Sequence, residues 1–367
     1  TPFGLGVGPD GSLYIGDSLN QRIRRVGPPL PGFSATDIAI PSEDGSELYQ
    51  FDKNGRHLRT VNARTGATLL TFTYNAAGLL TQISDTENNV TTIQRDGAGN
   101  PTAIIAPFGQ QTTLALNADG FLSQATDPAN QAYQMTYTSG GLLTGFTDPR
   151  NNTSVMIYDA QGRLMKDTDA ATGLTTLARA DAAGGYTVTQ TSALNRTQTK
   201  QVENLSTGEE RRTNTDEGGL QTVTLRGSDE KRTITRPDGT VSTAIDGPDP
   251  RFGNQAPLAK SLSIRLPSGL TLNRTVARTV TLADPTNLLS LTSETTTTSV
   301  NGRNFVTNYT AANRTFTYTS PLNRQATTVI DALGRPAQSQ TANFNATTFS
   351  YDARGRLASA TGGRAGR

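Results

Sequence analysis

The chain has 367 residues, of which 34% are hydrophobic and only 6% aromatic, and its 33 basic and 31 acidic residues give a formal net charge of +2. Since this composition offers neither a basic face nor an aromatic platform, nucleic-acid binding is not expected. Cysteine is absent, which excludes disulfides, thiol nucleophiles and cysteine metal sites. No apolar run approaches the ~18 residues of a membrane span, and no charged and then apolar leader is visible, so neither a span nor a signal peptide is predicted.

The first predicted elements lie between residues 4 and 26. A strand, a Pro9-Asp10-Gly11 turn, a strand from Leu13 to Ile15 and a basic strand from Arg22 to Val26 follow one another. This segment resembles one NHL repeat, the unit of a propeller blade. Because one blade cannot close a propeller, residues 1–31 are interpreted as a blade remnant and a linker, whose three prolines follow Gly27.

A block then returns every 21 residues, and its anchor is a glycine. The anchor occupies Gly78, Gly99, Gly120, Gly141 and Gly162, slips by one residue to Gly184, and reappears at Gly334 and Gly355. A fixed period of this size indicates one supersecondary unit copied along the chain. Each copy buries its apolar face only against its neighbours.

Each block predicts a β-hairpin. Six and four residues before the glycine, side chains such as Phe72 and Tyr74 recur two apart, which is the spacing of one strand face. Three residues before most of these glycines stands Asn or Asp, as at Asn75, which suits the first position of a type I turn whose fourth position suits glycine. Leu80, two residues after Gly78, starts a second strand, and such strands end in further polar turns.

The number of repeats predicts a closed wall. About 30 strands spaced ~4.8 Å apart would make a ribbon on the order of 140 Å wide, whereas twisted sheets rarely exceed about ten strands without curling or closing. The predicted fold is therefore all-β, an antiparallel hairpin strip curled into a spiral barrel or shell over residues 32–361. Residues 362–367 are expected to form a disordered tail.

The repeat register is blurred between Val202 and Asn308. We interpret this region as continued sheet with longer hairpins. Within it, the stretch from Asp246 to Ala259 is rich in proline, which disfavours a central strand. A loop or crossing strap is predicted there.

The blocks Tyr158-Asp159-Ala160-Gln161-Gly162-Arg163-Leu164 and Tyr351 to Leu357 resemble the YD repeat of Rhs proteins, bacterial toxin-complex components and teneurins. The resemblance covers most of the chain and implies a spiral β shell in a secreted or cell-surface protein, of bacterial origin by the character of its repeats. In bacterial members the shell often encloses a C-terminal polypeptide such as a toxin, and in teneurins it presents an adhesive surface. Shell-type members release their cargo at a DPxGL-like motif, which is not found before Arg367, so self-cleavage is not expected of this chain.

Two functions from different classes follow. The first is structural and non-enzymatic: a shell segment of a large Rhs-type protein that encloses and protects a C-terminal effector or toxin polypeptide of the same parent chain. The alternative is a teneurin-like extracellular adhesion module that binds glycans or a partner protein through its aromatic face or through residues 202–308. No cofactor, metal ligand or catalytic residue is assigned.

Four features invite a chemical role and have a simpler structural explanation. His57, the sole histidine and the best candidate for a hydrolase, stands where regular repeats have leucine, and a Ser-His-Asp set would need partners that the sequence does not place. The turn aspartates suggest calcium, yet the turn itself explains them and the nonapeptide pattern of calcium β-rolls is absent. The tyrosines and phenylalanines of successive repeats would form a ladder along one face of the sheet. Cross-strand pairing that stabilises the sheet explains this ladder, and a sugar-binding platform is the alternative. Sequons at Asn308 and Asn313 would matter only in a eukaryotic secretory cell.

Overall fold

The computed structural model describes residues 2–7, 13–17, 22–26, 37–227 and 229–362. All regular elements in these ranges are β-strands, and they form two sheets. The smaller sheet is antiparallel and contains β1 (Pro2–Val7), β2 (Leu13–Asp17) and β3 (Arg22–Val26). The strands expected at the N-terminus are therefore confirmed, while the turn at residues 9–11 and the proline linker lie outside the described ranges. The NHL interpretation and the domain boundaries stay predictions.

The larger sheet contains the remaining 29 strands, and each pairs antiparallel with its neighbours in the chain. Its first strands are β4 (Asp37–Pro41), β5 (Glu47–Asp52), β6 (His57–Asn62), β7 (Thr68–Tyr74), β8 (Leu80–Asp85), β9 (Val90–Arg95), β10 (Pro101–Ile105), β11 (Gln111–Leu116), β12 (Leu122–Thr126), β13 (Ala132–Tyr137), β14 (Leu143–Thr147), β15 (Thr153–Tyr158) and β16 (Leu164–Thr168). The next strands, which include the longest of the sheet, are β17 (Leu174–Ala182), β18 (Gly185–Ser192), β19 (Thr197–Asn204), β20 (Glu210–Thr215), β21 (Gln221–Arg226), β22 (Lys231–Thr235), β23 (Val241–Asp249), β24 (Gly253–Arg265), β25 (Thr271–Leu282), β26 (Leu291–Val300) and β27 (Arg303–Thr310). The last are β28 (Thr315–Thr319), β29 (Gln325–Ile330), β30 (Pro336–Thr341), β31 (Thr347–Tyr351) and β32 (Leu357–Gly362).

The repeat glycine completes the hairpin turn that the sequence predicts. The Gly99 N–H donates to the Asp96 carbonyl at 3.0 Å, and the Asp96 N–H donates to the Asn100 carbonyl at 3.0 Å. Oδ1 of Asp96 accepts two further backbone N–H groups at 2.9 and 2.8 Å. Gly99 has a φ of +90°, a left-handed conformation that a type I turn followed by a bulge requires. In the turn between β12 and β13, Asn130 takes the corresponding position with a φ of +61°.

The repeat tyrosine joins each repeat to the preceding one. The pairing of β12 with β13 begins at Gln124, so the carbonyl of Leu122 lies beyond the end of the ladder, and the Tyr137 hydroxyl donates to it at 2.8 Å. Equivalent bonds run from Tyr74 to the carbonyl of His57 (2.9 Å), from Tyr158 to Leu143 (2.7 Å) and from Tyr351 to Pro336 (2.8 Å). Where Arg95 replaces the tyrosine, its guanidinium donates to the carbonyl of Leu80 at 3.0 and 3.1 Å. We call this contact the inter-repeat tyrosine bond.

The two faces of the large sheet differ in chemistry. Phe72 and Tyr74 are half-buried on what we call the aromatic face, which continues across the strands because Phe72 lies opposite Ile83 and Met135 opposite Phe146. The other face, which we call the threonine face, carries mainly small neutral polar side chains, among them Thr71, Thr73, Thr113, Gln134, Thr136, Thr243, Thr279, Thr297 and Thr327. Cross-strand hydroxyl pairs occur there, as between Thr147 and Thr153 at 2.9 Å. A single-layered wall therefore has one amphipathic surface and one surface rich in threonine.

The expected loop between Asp246 and Ala259 is wrong: these residues belong to the long hairpin of β23 and β24, with two bulges. The prolines are tolerated because the tip of this hairpin overhangs its neighbours. β22 pairs with β23 only as far as Ile245, and β25 pairs with β24 only from Ser261 onward. Each overhanging strand therefore has one neighbour, and a proline facing away from that neighbour disrupts no ladder.

Candidate functional site

The large sheet closes into a barrel, and the closure brings late hairpin turns onto early ones. We call this contact the seam. Its early side consists of the turns at residues 42–45, 62–66, 85–88 and 106–109, and its late side of the turns at 249–252, 331–334 and 352–355. The turn between β4 and β5 meets the turn between β23 and β24, and the turn between β10 and β11 meets the turn between β31 and β32. Early and late turns therefore meet in the same order along the chain, as in two successive windings of a spiral.

Polar contacts join the turns along the seam. Nδ2 of Asn62 donates to the Leu333 carbonyl at 3.3 Å, and Nη1 of Arg335 lies 2.7 Å from Oε1 of Glu87. Further on, the Arg354 guanidinium lies 4.4 Å from the centre of the Phe108 ring. Each of these contacts spans a large separation in sequence and fixes one winding against the other.

Glycine permits the close approach of the windings at two late turns. A Cβ on Gly334 would lie 2.2 Å from Nδ2 of Asn62, and a Cβ on Gly355 would lie 2.9 Å from the Glu87 carboxylate. Both glycines also have positive φ values, of 89° and 76°. The backbone therefore requires glycine at these turns, and any other side chain would also displace the Asn62 or Glu87 side chain of the neighbouring winding.

The seam contains much of the hydrophobic core of the barrel. Its main buried cluster combines side chains from early and late strands, namely Leu48, Val61, Ala63, Phe252, Ala256 and Leu288. Leu48 is only 1% exposed, whereas most wall side chains are half-buried or exposed. Since burial of apolar area is the main stabilising term in folding, the contact between windings contributes strongly to the stability of the closed form.

An ion pair with buried neighbours lies beside this cluster. The Asp249 carboxylate, whose side chain is 2% exposed, contacts Nη1 of Arg278 at 2.9 Å and accepts the backbone N–H groups of Arg251 and Phe252 at 2.7 and 3.0 Å. Nε of Arg251 donates to the Leu288 carbonyl at 2.6 Å, and its Nη2 bonds the carbonyls of Leu288 and Ala63. Burial lowers the pKa of Arg251 to about 10. Arg251 therefore joins an early turn to a late one through backbone oxygens.

A second cluster of charges and rings continues the seam. Nη2 of Arg64 lies 3.6 Å from Oε1 of Glu294, and the Arg64 guanidinium lies 5.5 Å from the centre of the Phe316 ring. Phe316 packs against Tyr309, which is 1% exposed, with ring centres 4.7 Å apart. Burial raises the pKa of the Tyr309 hydroxyl. These contacts hold the early turn at residues 62–66 over the late strands β26 to β28.

His57 is a wall residue in this structure. Its ring stacks between Phe51 and Phe72, with ring centres 4.8 and 4.0 Å away, and Nε2 lies 3.1 Å from the Arg59 carbonyl. Burial lowers its pKa, opposed by the hydrogen bond to that carbonyl. No carboxylate among the described residues contacts the ring, so the geometry of a hydrolytic triad is not assembled at this histidine.

The turn aspartates use their oxygens within their own turns. Oδ1 of Asp159 accepts backbone N–H groups from Gln161 and Arg163 at 2.9 Å each, and Oδ2 contacts Nε of Arg163 at 2.7 Å. The hydrogen bonds from Arg163 lower the pKa of this carboxyl group. Within the described ranges, no three His, Cys, Asp or Glu side chains come together as metal ligands would.

The two sequons and the aromatic ladder are the remaining candidate features. Asn308 is exposed on β27 and accepts a hydrogen bond from Thr295 at 2.6 Å, while Asn313 lies in the next turn. The aromatic ladder is interrupted, since rings pair locally, as Tyr133 does with Phe146 at 6.0 Å. Over the described ranges, no helix is long and apolar enough to cross a membrane.

Sequence reasoning missed the seam residues Asp249, Arg251 and Arg278. They belong to the region in which the repeat register is blurred, so periodicity gives no signal for them. The only hint was the proline-rich stretch, whose interruption of the repeats marks the hairpin that reaches the first winding.

The architecture defines a class: a single-layered β shell built from hairpin repeats and closed by a buried seam. The family profile described as Teneurin YD-shell matches residues 35–366. The chain belongs to the Teneurin YD-shell family, which confirms the resemblance drawn from its repeats.

Individual relatives are similar over short stretches. The chain is 43% identical to human Teneurin-1 over 67 residues, 44% identical to mouse Teneurin-3 over 68 residues and 38% identical to Drosophila melanogaster Teneurin-m over 65 residues. These matches cover 17–18% of this chain and 2% of each relative. The chain therefore spans only a small fraction of the curated relatives that it matches.

Among solved structures, the TcdB2-TccC3-Cdc42 crystal structure aligns over 98% of this chain and 22% of its own, with 12% identity and a TM-score of 0.49. The Photorhabdus luminescens Tc holotoxin pore aligns over 96% of this chain and 22% of its own, with 12% identity and a TM-score of 0.45. At this level of similarity these structures do not bear on function.

Proposed function

We propose that this chain is a structural wall, without enzymatic activity, that encloses and shields a polypeptide. The observation that carries the proposal is the closed sheet with a buried seam. Antiparallel pairing between neighbouring strands satisfies the backbone groups along the wall, and the contact between windings buries the apolar side chains of the seam. Membership of the YD-shell family supports the same reading.

The size of the barrel argues for a lumen. Matching of early and late turns gives roughly 20 strands per winding, which at ~4.8 Å spacing is a circumference on the order of 100 Å and a diameter of about 30 to 40 Å once strands tilt. Barrels of about 16 strands already leave an open channel. The side chains of this wall are therefore too short to fill the space inside it.

The same dimensions limit the enclosed polypeptide. A folded domain of about 100 residues has a radius of gyration of ~13 Å and would fill or exceed this lumen. We therefore propose a small or unfolded segment as cargo, a C-terminal effector of the same parent chain, shielded from proteases until release. The family resemblance also favours action outside the producing cell.

The test is the intact mass of the protein at its natural length, purified from its producing cell, with sequencing of the termini at any break. A discrete C-terminal fragment that is severed from the repeats yet co-purifies with them, and resists protease until the shell is unfolded, is the expected result. A single uncut chain whose every segment outside the repeats is digested at once would contradict encapsulation. That outcome would favour the second candidate, an adhesion module of the teneurin type, which the sequence similarity to teneurins supports.

A further inference from the structure

A shallow depression lies on the aromatic face where β17, β18, β19 and β20 run side by side. It has a volume of about 410 Å³, and its floor is apolar, with Leu177, Val188 and Val202. The strand register explains the arrangement, because Val188 lies directly opposite Lys200, and Tyr186 directly opposite Val202. Apolar side chains and a small number of polar ones therefore lie side by side in this depression, a combination also found in small-molecule sites.

The polar groups around this floor are free. The side chains of Gln190, Lys200 and Asn214, and the Tyr186 hydroxyl, form no hydrogen bond or ion pair with other residues in the part of the chain that the structure describes. Lys200 and Asn214 are exposed and lie directly opposite each other on neighbouring strands. Three amide or hydroxyl groups and one cation thus converge without partners.

The arginines nearby are already neutralised. Nε of Arg212 contacts Oε1 of Glu210 at 2.6 Å, and Nε of Arg179 contacts Oδ1 of Asp181 at 2.7 Å. The Arg179 guanidinium also covers the Tyr186 ring at 3.7 Å. The depression therefore offers one uncompensated positive charge, that of Lys200, which suits a singly charged carboxylate better than a phosphate dianion.

We propose that this depression binds a carboxylated sugar residue, such as a uronate within an acidic polysaccharide. Lys200 pairs with the carboxylate. The amides of Gln190 and Asn214 each donate and accept hydrogen bonds, as neighbouring sugar hydroxyls require. Val188 and Val202 contact the C–H face of the ring. The groups that carry this inference all lie on one surface of the wall.

The experiment is calorimetric titration of the full chain with tetragalacturonate. Two further ligands separate the parts of the recognition: the methyl ester of the same oligosaccharide lacks the charge, and tetraglutamate carries carboxylates without a sugar. We expect saturable binding of tetragalacturonate, and binding at least tenfold weaker for the other two, which is the scale of one charge-assisted hydrogen bond.

Lys200→Gln is the decisive variant, and Lys166→Gln is its matched control. Lys166 lies on β16 on the threonine face, so both substitutions change net charge equally. Lys200→Gln should weaken binding about tenfold or more and Lys166→Gln should leave it unchanged, with circular dichroism checking the fold. Gln190→Ala, which keeps the charge, should also weaken binding. Absence of binding by the unmodified chain, equal binding of the ester or the peptide, or equal losses in the two lysine variants would overturn the proposal.

Discussion

Removal of one hydroxyl group, in Tyr158→Phe, tests the physical role of the repeat tyrosine. In the structure this hydroxyl donates to the Leu143 carbonyl at 2.7 Å. The phenylalanine ring fills the same space, so apolar packing is conserved and only the hydrogen bond is lost. A typical intramolecular hydrogen bond contributes about 0.5–1.5 kcal/mol net, and the half-buried acceptor left behind can be reached in part by water. The expected loss in the free energy of unfolding is about 1 kcal/mol.

A matched control exists in Tyr318→Phe. Tyr318 lies on the same aromatic face, is 40% exposed, and its hydroxyl makes no hydrogen bond in the described part of the chain. Its substitution should change stability by less than about 0.5 kcal/mol, as surface changes usually do. Urea unfolding gives the global difference, and hydrogen exchange of the β14 and β15 amides locates it, since repeat arrays can unfold in parts.

The inter-repeat tyrosine bond also predicts a cumulative effect. Phenylalanine at all four tyrosine positions, Tyr74, Tyr137, Tyr158 and Tyr351, should cost about 2–6 kcal/mol if distant sites add. Arg95→Tyr should retain the stability that Arg95→Ala loses, because tyrosine can reach the same Leu80 carbonyl. The reasoning is refuted if Tyr158→Phe and Tyr318→Phe have the same effect, or if the fourfold variant is as stable as the unmodified chain.

Three further predictions concern single residues. Asp249→Ala should cost about 3–5 kcal/mol, because Nη1 of Arg278 and the backbone N–H groups of Arg251 and Phe252 lose their buried acceptor, and Arg278 keeps only Glu294 at 3.9 Å. An unchanged urea midpoint would contradict the buried seam. Burial lowers the pKa of His57, so the unfolded chain binds this proton more readily and stability should fall as pH drops through the ordinary value of 6.5. His57→Leu should remove that dependence, and an identical pH profile in both proteins would refute it. Side-chain hydrogen bonding from Arg356 lowers the pKa of Asp352 to about 2. The stabilising effect of the ionised Asp352 should therefore persist above pH 3.8 and disappear towards pH 2. Amide exchange of β31 and β32 measures this change, which Asp352→Asn should not show.

The hairpin turns are the part of the fold that nearby residues alone predict. Asp96 and Gly99 dictate their hairpin through bonds within five residues, so the period of the glycines predicts both the turns and the strands between them. The prediction failed at the hairpin of β23 and β24. There the prolines led to the prediction of a loop. A strand tolerates proline where its neighbouring strand ends early, and the register of other elements decides where that happens.

The candidate sites also differ in how much the sequence predicts about them. The repeat position of His57, where regular repeats have leucine, agrees with the place of its ring between Phe51 and Phe72 in the wall. The free groups around Lys200 could not be foreseen in the same way. Whether a polar side chain is free depends on the partners that cross-strand register brings to it, as Glu203 is brought to Arg211 on the neighbouring strand.

The sequence by itself determined the all-β class, the hairpin unit, the need of so wide a sheet to curl, and the family. Each of these depends on side chains within one repeat and on the limit to the width of a twisted sheet. Only the tertiary structure decided where the windings meet, because contacts such as that of Arg251 with Ala63 join residues far apart in the chain. The number of strands per winding results from twist and bulges accumulated over many hairpins, and no single repeat encodes that sum.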